Sequence, residues 1–317
     1  MCGIAGFTGK NYEGLLDKFL NSILYRGPDE NGKSVIENEI NLCNSRLSII
    51  DIETGQQPMK TEKAHIVFNG EIYNYLELKK DLEVKGYRFK TQSDTEVILA
   101  SYEYYGENFV SKLNGMFAIA IYDLKLKKLI ICNDPFGIKP IYYSIIDNEL
   151  CFSSSAKSIT LHPKFDKKLN PKALTETIQF RYSISGDVLF DGIEKLKNGE
   201  ILIWDNTNKT NKKYNYDLEN KIYDKNLSVN EWINECYNIF NDSIKINLRA
   251  DVPIGIFLSS GIDSAGILHF ADKNGYKNIE GYSYSTNQQN DESKQVVELS
   301  KKYNINTNYI TLEDKNF

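Results

Sequence analysis

Apolar residues recur at helical spacing early in the chain: Leu15, Leu16, Phe19, Leu20, Ile23 and Leu24. This predicts an amphipathic helix. Gly27-Pro28 stops it and leaves Arg26 and Asp29 on the turn beyond. Leu47 and Ile49 then alternate as in a strand with Arg46 at its start. Residues 64–68 predict another short strand, running into the turn dipeptide Asn69-Gly70. A helix is expected over 75–85, stopped by Gly86. A further helix carries Val97, Ile98, Tyr102 and Tyr105, with Ser93 or Asp94 as its N-cap. From Gly115 the pattern changes to short apolar, β-branched runs at 116–122, 128–132, 141–144 and 149–153, which predict strands. Turns are expected at 134–140 and at Asp147-Asn148. Asn170-Pro171 reads as an N-cap with proline at the first helical position. Residues 196–204 predict a hairpin turning at Gly199.

The next stretch is polar and rich in Asn and Lys, so a linker is expected over 206–227. It separates a strand-dominated first domain, 1–205, from a second, 228–317. Ser228 and Glu231 form a capping box. The helix behind it is expected to bury Val229, Trp232, Ile233, Cys236, Ile239, Phe240 and Ile244 on one face. The apolar run Ile254-Gly255-Ile256-Phe257-Leu258 suits a buried parallel strand. Ser259-Ser260-Gly261-Ile262-Asp263-Ser264 and a helix follow, then strand, helix and strand over 279–285, 292–303 and 308–311. This β-α-β-α-β order opens a doubly wound sheet.

Composition narrows the function classes. A chain of 317 residues with 41% hydrophobic and 26% charged residues has enough apolar material for a packed core in each of two domains. The net charge of -5 makes no electrostatic case for nucleic acid or an anionic membrane. The longest apolar run, 116–122, is far shorter than a membrane span. Five cysteines (Cys2, Cys43, Cys132, Cys151, Cys236) form no C-x-x-C pair, and only three histidines accompany them. A zinc site is therefore not expected, and all but Cys2 read as buried free thiols in a reducing compartment. With no signal peptide in view, a cytoplasmic protein is expected.

The candidate chemistry begins at Met1-Cys2-Gly3. Removal of Met1 would leave Cys2 with a thiol and a free α-amine, titrating near ~8.5 and ~8 respectively. Nucleophile and general base would then share one residue. Arg46 suits a two-pronged grip on a carboxylate or a surface ion pair. The Asn69 amide and Gly70 N–H suit an oxyanion, or simply a turn. Asp94 suits a substrate ammonium group, or a helix cap. The loop 259–264, between strand and helix, suits a phosphate, or is an ordinary connection.

Taken together, Cys2, Arg26-Gly27-Pro28-Asp29, Arg46-Leu47-Ser48-Ile49-Ile50-Asp51, Asn69-Gly70-Glu71-Ile72-Tyr73-Asn74 and Ser93-Asp94 resemble the class II glutamine amidotransferase domain of asparagine synthetases. The resemblance covers about residues 1–205 and implies an α+β N-terminal-nucleophile (Ntn) hydrolase fold, an αββα sandwich. It implies that Cys2 attacks the glutamine amide, with its own α-amine as base. Asn69 and Gly70 would form the oxyanion hole. Arg46 would bind the α-carboxylate, and Asp94 with Glu71 the α-amino group. Leu47, Ser48, Ile49 and Ile50 would line the pocket, and Arg26 would support the nucleophile. Tyr25 stands where that family commonly has His, and Asn133 where it commonly has Arg.

The second part resembles the pyrophosphate loop of asparagine synthetases and related ATP pyrophosphatases, within an incomplete α/β Rossmann-like domain. The resemblance implies that Leu258, Ser259, Ser260, Gly261, Asp263 and Ser264 hold ATP, with Tyr284 near the adenine. Ser260 replaces a customary glycine. Mg²⁺ would accompany the nucleotide on ligands the sequence does not identify, and no cofactor is expected for the glutaminase step. The family continues well beyond Phe317, so a truncation within the synthetase domain is expected, with glutaminase activity alone retained. The implied small molecules are glutamine, aspartate and ATP, the last two joined through β-aspartyl-AMP. Another carboxylate or sugar acid as acceptor, or a regulatory role without synthesis, stands as the alternative. A homodimer and association with a separate synthetase half are both compatible with this reading.

Overall fold

The computed structural model describes residues 1–215, 227–277, 279–285 and 292–311. It divides into two compact units, Met1–Lys221 and Ile222–Phe317. The elements of the first, in chain order, are β1 (Gly3–Thr8), α1 (Leu15–Ile23), β2 (Glu30–Ile36), β3 (Ile40–Arg46), β4 (Met59–Lys60), β5 (Ala64–Ile72), α2 (Tyr75–Val84) and α3 (Asp94–Tyr105). They continue with β6 (Gly115–Asp123), β7 (Lys128–Asn133), β8 (Tyr142–Ile146), β9 (Glu149–Ser153), α4 (Ala156–Ile159), α5 (Pro171–Phe180), β10 (Glu194–Lys195), β11 (Glu200–Asp205) and β12 (Thr210–Asn215).

Two six-stranded antiparallel sheets result, ordered β10-β8-β9-β1-β3-β2 and β12-β11-β7-β6-β5-β4. Strand alternation sorts their side chains into layers. Ile4, Ile40 and Leu42 of one sheet meet Val67, Ala120, Ile131 and Trp204 of the other between the sheets. Ala5, Phe7 and Cys43 point outward to Leu16, Phe19 and Ile23 of α1. Ile66, Phe68 and Ile119 point outward to Val97, Ile98 and Tyr102 of α3. Helix, sheet, sheet, helix is the expected αββα sandwich.

Several local expectations change. Arg46 ends a strand instead of starting one, and residues 47–50 are irregular. Asn69-Gly70 is not a turn, because β5 runs through it to Ile72, paired with β6 over its whole length. Residues 196–204 are not one hairpin. β10 pairs with β8 in one sheet and β11 with β7 in the other, so the chain crosses between sheets at this point. The polar residues 210–215, expected in the linker, form β12 on β11. An edge strand is held by backbone hydrogen bonds and tolerates exposed lysines, so its composition resembles a loop. The rest of the linker, to 226, lies outside the described residues. Asn133 receives the Glu200 N–H at 3.3 Å and so secures the start of β11.

The second unit contains α6 (Val229–Asn247), β13 (Gly255–Phe257), α7 (Ile262–Lys273), β14 (Glu280–Ser285), α8 (Ser293–Tyr303) and β15 (Thr307–Thr311). The strands are parallel in the order β13-β14-β15. The Ser228–Glu231 capping box is present. The buried face expected on α6 is not. Val229, Ile233, Ile239 and Phe240 are exposed, and so is Cys236. Among the described residues the cover of α6 includes contacts from its middle onward. There the Tyr237 and Phe240 rings pack edge-on against Phe270, and Ile244 packs beside Leu248. β13 is likewise not buried. It is an edge strand with Ile256 turned to the core and Phe257 75% exposed. No helix among the described residues is long and apolar enough to cross a membrane.

Candidate active site

β1 brings Cys2 to the end of the first sheet beside the end of β3, since Gly3 pairs with Ser45. The Arg26-Gly27-Pro28-Asp29 turn locks this junction. Arg26 Nε donates to Cys2 O at 3.0 Å, and Asp29 Oδ2 accepts from Ser48 N at 2.8 Å. A Cβ on Gly27 would lie 2.5 Å from Ser45 O, so only glycine permits this approach. The Cys2 thiol accepts from Leu47 N at 3.4 Å and donates to Leu47 O at 3.6 Å. Burial pushes the thiol pKa up, opposed by the Leu47 N–H, the chain's amino group and Arg46. At neutral pH the sulfur is thus a thiol that needs a base. The amino group of this chain is that of Met1, its pKa lowered chiefly by burial. The Cys2 nitrogen, here a peptide nitrogen, stands where the free amine would be after Met1 is removed.

One small cleft gathers most of the expected residues: Cys2, Arg46, Leu47, Ile49, Ile50, Gly70, Glu71 and Asp94. Ser48 and Asn69 do not line it. Ser48 instead holds the Asp29 carboxylate through its backbone, and Asn69, next to Gly70 in β5, is buried. Gln57, Phe68 and Thr95 line the cleft unforeseen, and Ser93, expected as a cap, lines it too. Gln57 is a brace: its Oε1 accepts from Phe68 N at 2.7 Å and its Nε2 donates to Thr95 Oγ1 at 3.3 Å. No sequence pattern marks such a long-range contact.

The backbone of β5 decides what Gly70 offers. Phe117 pairs with Gly70, yet its N–H and C=O both bond Asp134 on the far side. The Gly70–Phe117 pair is therefore the non-hydrogen-bonded kind, and Gly70 N–H points away from β6. On that same outer edge Phe68 N is taken by Gln57 and Ile72 N by Asp94 Oδ2 at 3.1 Å. Gly70 N–H lies between them, toward the cleft. Its φ of 156° and a Cβ that would meet Met116 O at 2.0 Å require glycine. The Asn69 amide is buried with neither its oxygen nor its nitrogen partnered, which in a folded protein points to a ligand or water.

Ser93 is the cap of α3, accepting from Thr95 N, which leaves Asp94 in the first turn facing the cleft. Burial pushes its carboxyl up to about 7, and the Glu71 charge adds to this. The Ile72 and Thr95 N–H groups and Arg46 oppose it. Glu71 is also raised by burial, opposed by Lys139 and the chain's amino group. Lys139 is a cation that sequence reasoning missed. It is buried on the 134–140 turn, its pKa lowered by burial and restored in part by Glu71 and Cys2. Asp134 builds that turn by accepting from the N–H groups of Phe117, Phe136, Ile138 and Lys139. Arg46 is 4% exposed and bonds Glu30 and the carbonyls of Ile50, Asp51 and Ile52.

In the second unit the expected nucleotide residues share the carboxyl edge of the sheet. Leu258 is buried, its N–H donating to Tyr282 O at 2.8 Å. Ser259, Ser260 and Gly261 join β13 to α7, Asp263 and Ser264 stand in the first turn of α7, and Tyr284 lies exposed at the same edge of β14. The loop amides are engaged internally. Ser259 N donates to Ser264 Oγ, Gly261 N to Ser259 Oγ and Ser260 N to Glu292 Oε2 at 2.8 Å. A carboxylate on a loop N–H fits the anion preference of this geometry. Among the described residues no cluster of three or more His, Cys, Asp or Glu side chains could hold a metal ion.

Comparison with known proteins bears on both units. The family model described as a glutamine amidotransferase domain matches residues 1–215, and the asparagine synthase model matches 235–317. The chain is 37% identical over 302 residues to asparagine synthetase [glutamine-hydrolyzing] 1 of Bacillus subtilis, covering 91% of this chain and 46% of that one. It is 31% identical over 288 residues to the amidase chry2 of Gibberella zeae, covering 84% and 42%. It thus spans less than half the length of these curated relatives. The solved glutamine phosphoribosylpyrophosphate amidotransferase of Bacillus subtilis superposes with a TM-score of 0.53 at 13% identity, covering 99% of this chain and 91% of that one, a likeness of fold.

Proposed function

The chain belongs to the glutamine amidotransferase family, and we propose on that footing that its first unit hydrolyses glutamine to glutamate and ammonia at Cys2. The observation that carries the reading is the cleft itself. It joins a thiol, the Gly70 strand N–H and a buried carboxylate raised to about 7, and the residue next to that N–H, Asn69, carries a buried, unpartnered amide.

In this reading glutamine lies with its ammonium group at Asp94 and Glu71 and its carboxylate at Arg46, alongside Leu47, Ile49 and Ile50. The Cys2 sulfur attacks the carboxamide carbon while its proton passes to the α-amine of the same residue. Negative charge develops on the carboxamide oxygen, and Gly70 N–H and the Asn69 amide stabilise it. The proton returns to the departing nitrogen, which leaves as ammonia. Water then cleaves the thioester, giving glutamate and the free thiol. In a complete enzyme, ammonia from this step would amidate aspartate through β-aspartyl-AMP, with ATP held by Leu258 and the 259–264 loop and Mg²⁺ accompanying it. The likeness to asparagine synthetases supports aspartate as acceptor.

The test is glutamate release from glutamine by the purified chain, with Cys2→Ala alongside. Release should vanish in the variant, and mass spectrometry should find Met1 removed from the active protein. Undiminished release from Cys2→Ala would refute the assignment.

A further inference from the structure

The guanidinium of Arg46 is more fully engaged than a waiting clamp needs to be. Nη1 donates to Glu30 Oε2 at 2.9 Å and to Ile52 O at 3.3 Å. Nη2 donates to Ile50 O at 2.9 Å and to Asp51 O at 2.7 Å. These four bonds match the four hydrogens of the two terminal nitrogens, leaving Nε–H as the fifth donor. A two-pronged grip on a carboxylate uses two neighbouring N–H groups. At least one present bond must therefore be exchanged before a substrate carboxylate can be held that way.

The present partners differ in how freely they can leave. The three carbonyls belong to backbone wrapped closely around the guanidinium. Ile50 is buried, and a Cβ on Gly55 would lie 2.5 Å from Nη2. Glu30 is tied only through its own side chain, 34% exposed against 5% for Arg46, so it has a path into water. Its position opposite Arg46 is fixed by the β2–β3 register.

We propose that Glu30 is a tethered counter-ion that competes with the substrate's α-carboxylate for Arg46, so that glutamine enters by carboxylate exchange. The proposal rests on the glutaminase reading above. The exchange conserves charge: one carboxylate leaves as another arrives, and Arg46 is never a bare buried cation, a costly state. Glu30 thus keeps the empty site folded and lowers its affinity for glutamine.

The experiment compares wild type with Glu30→Gln in steady-state glutamate release from L-glutamine, and in ammonia release from L-glutamine α-amide, which lacks the carboxylate charge. Gln keeps an oxygen for Nη1 and removes the charge. KM for glutamine should fall about two- to fivefold, the scale of a partly exposed ion pair removed from competition. KM for the α-amide should change by less than about twofold. A KM for glutamine that is unchanged or raised, in protein that melts like wild type, overturns the proposal and makes Glu30 a structural prop. Glu30→Asp, with its charge drawn back by one methylene, should lower KM in the same direction. It carries the test if the Gln variant does not fold, and an unchanged or raised KM overturns the proposal there too. Glutamate release by wild type, and its loss in Cys2→Ala, tests the underlying reading separately.

Discussion

Replacing Asp94 by Asn should make the first unit more stable at neutral pH and leave it nearly unable to bind glutamine. Asp94 is 5% exposed, and its carboxyl is raised from 3.8 to about 7. The folded state therefore holds a proton that the unfolded chain releases near pH 4. The stability this confers is complete below the unfolded value and is lost as pH rises, until the carboxyl ionises in the folded protein near 7. Each pH unit in that window is worth about 1.4 kcal/mol, so wild type should lose about 2–3 kcal/mol between pH 5 and pH 8 through this group. Asn has no such dependence and still accepts the Ile72 N–H. The gap between variant and wild type should widen by up to that amount, or about 5–10 °C in Tm for a unit of this size. The assay is thermal and urea unfolding of both proteins at several pH values from 5 to 8. A gap that stays flat across this range would refute the raised carboxyl, and with it the argument that Asp94 awaits a cation. In turnover the same variant should raise KM for glutamine by about 30- to 150-fold, the loss of one charged hydrogen-bonded contact of about 2–3 kcal/mol.

Asn69→Ala should reduce kcat for glutamate release by about 10²–10³. It should change the urea midpoint little, because the amide has no protein partner to lose. Asp134→Ala strands the four N–H groups that its carboxylate receives and should cost about 3–5 kcal/mol of stability, read from denaturant unfolding. A loss below about 1 kcal/mol would show that those bonds are replaced by water.

The helices around the first sandwich were legible because their signals are local. The Leu15–Ile23 stripe, the Ser93 cap and Asn170-Pro171 act within a turn or two of chain. The strands from Gly115 to Ser153 announced themselves by apolar, β-branched runs bounded by turns. β12 did not, because an exposed edge strand such as Thr210–Asn215 needs no apolar face. The face on α6 misled for the opposite reason: periodicity records which side of a helix can be buried, not what stands ready to cover it.

The candidate site divides along the same line. Sequence by itself determined the residue types and their order: a cysteine at position 2, the arginine, the Asn-Gly pair and the aspartate, each with chemistry that follows from its side chain. Their common cleft, the outward turn of Gly70 N–H, the rise of Asp94 and the capture of Arg46 by Glu30 were decided by the tertiary structure alone. Each depends on strand register, burial or a contact between distant segments, and a free-energy balance of that kind exists only once the two sheets have packed.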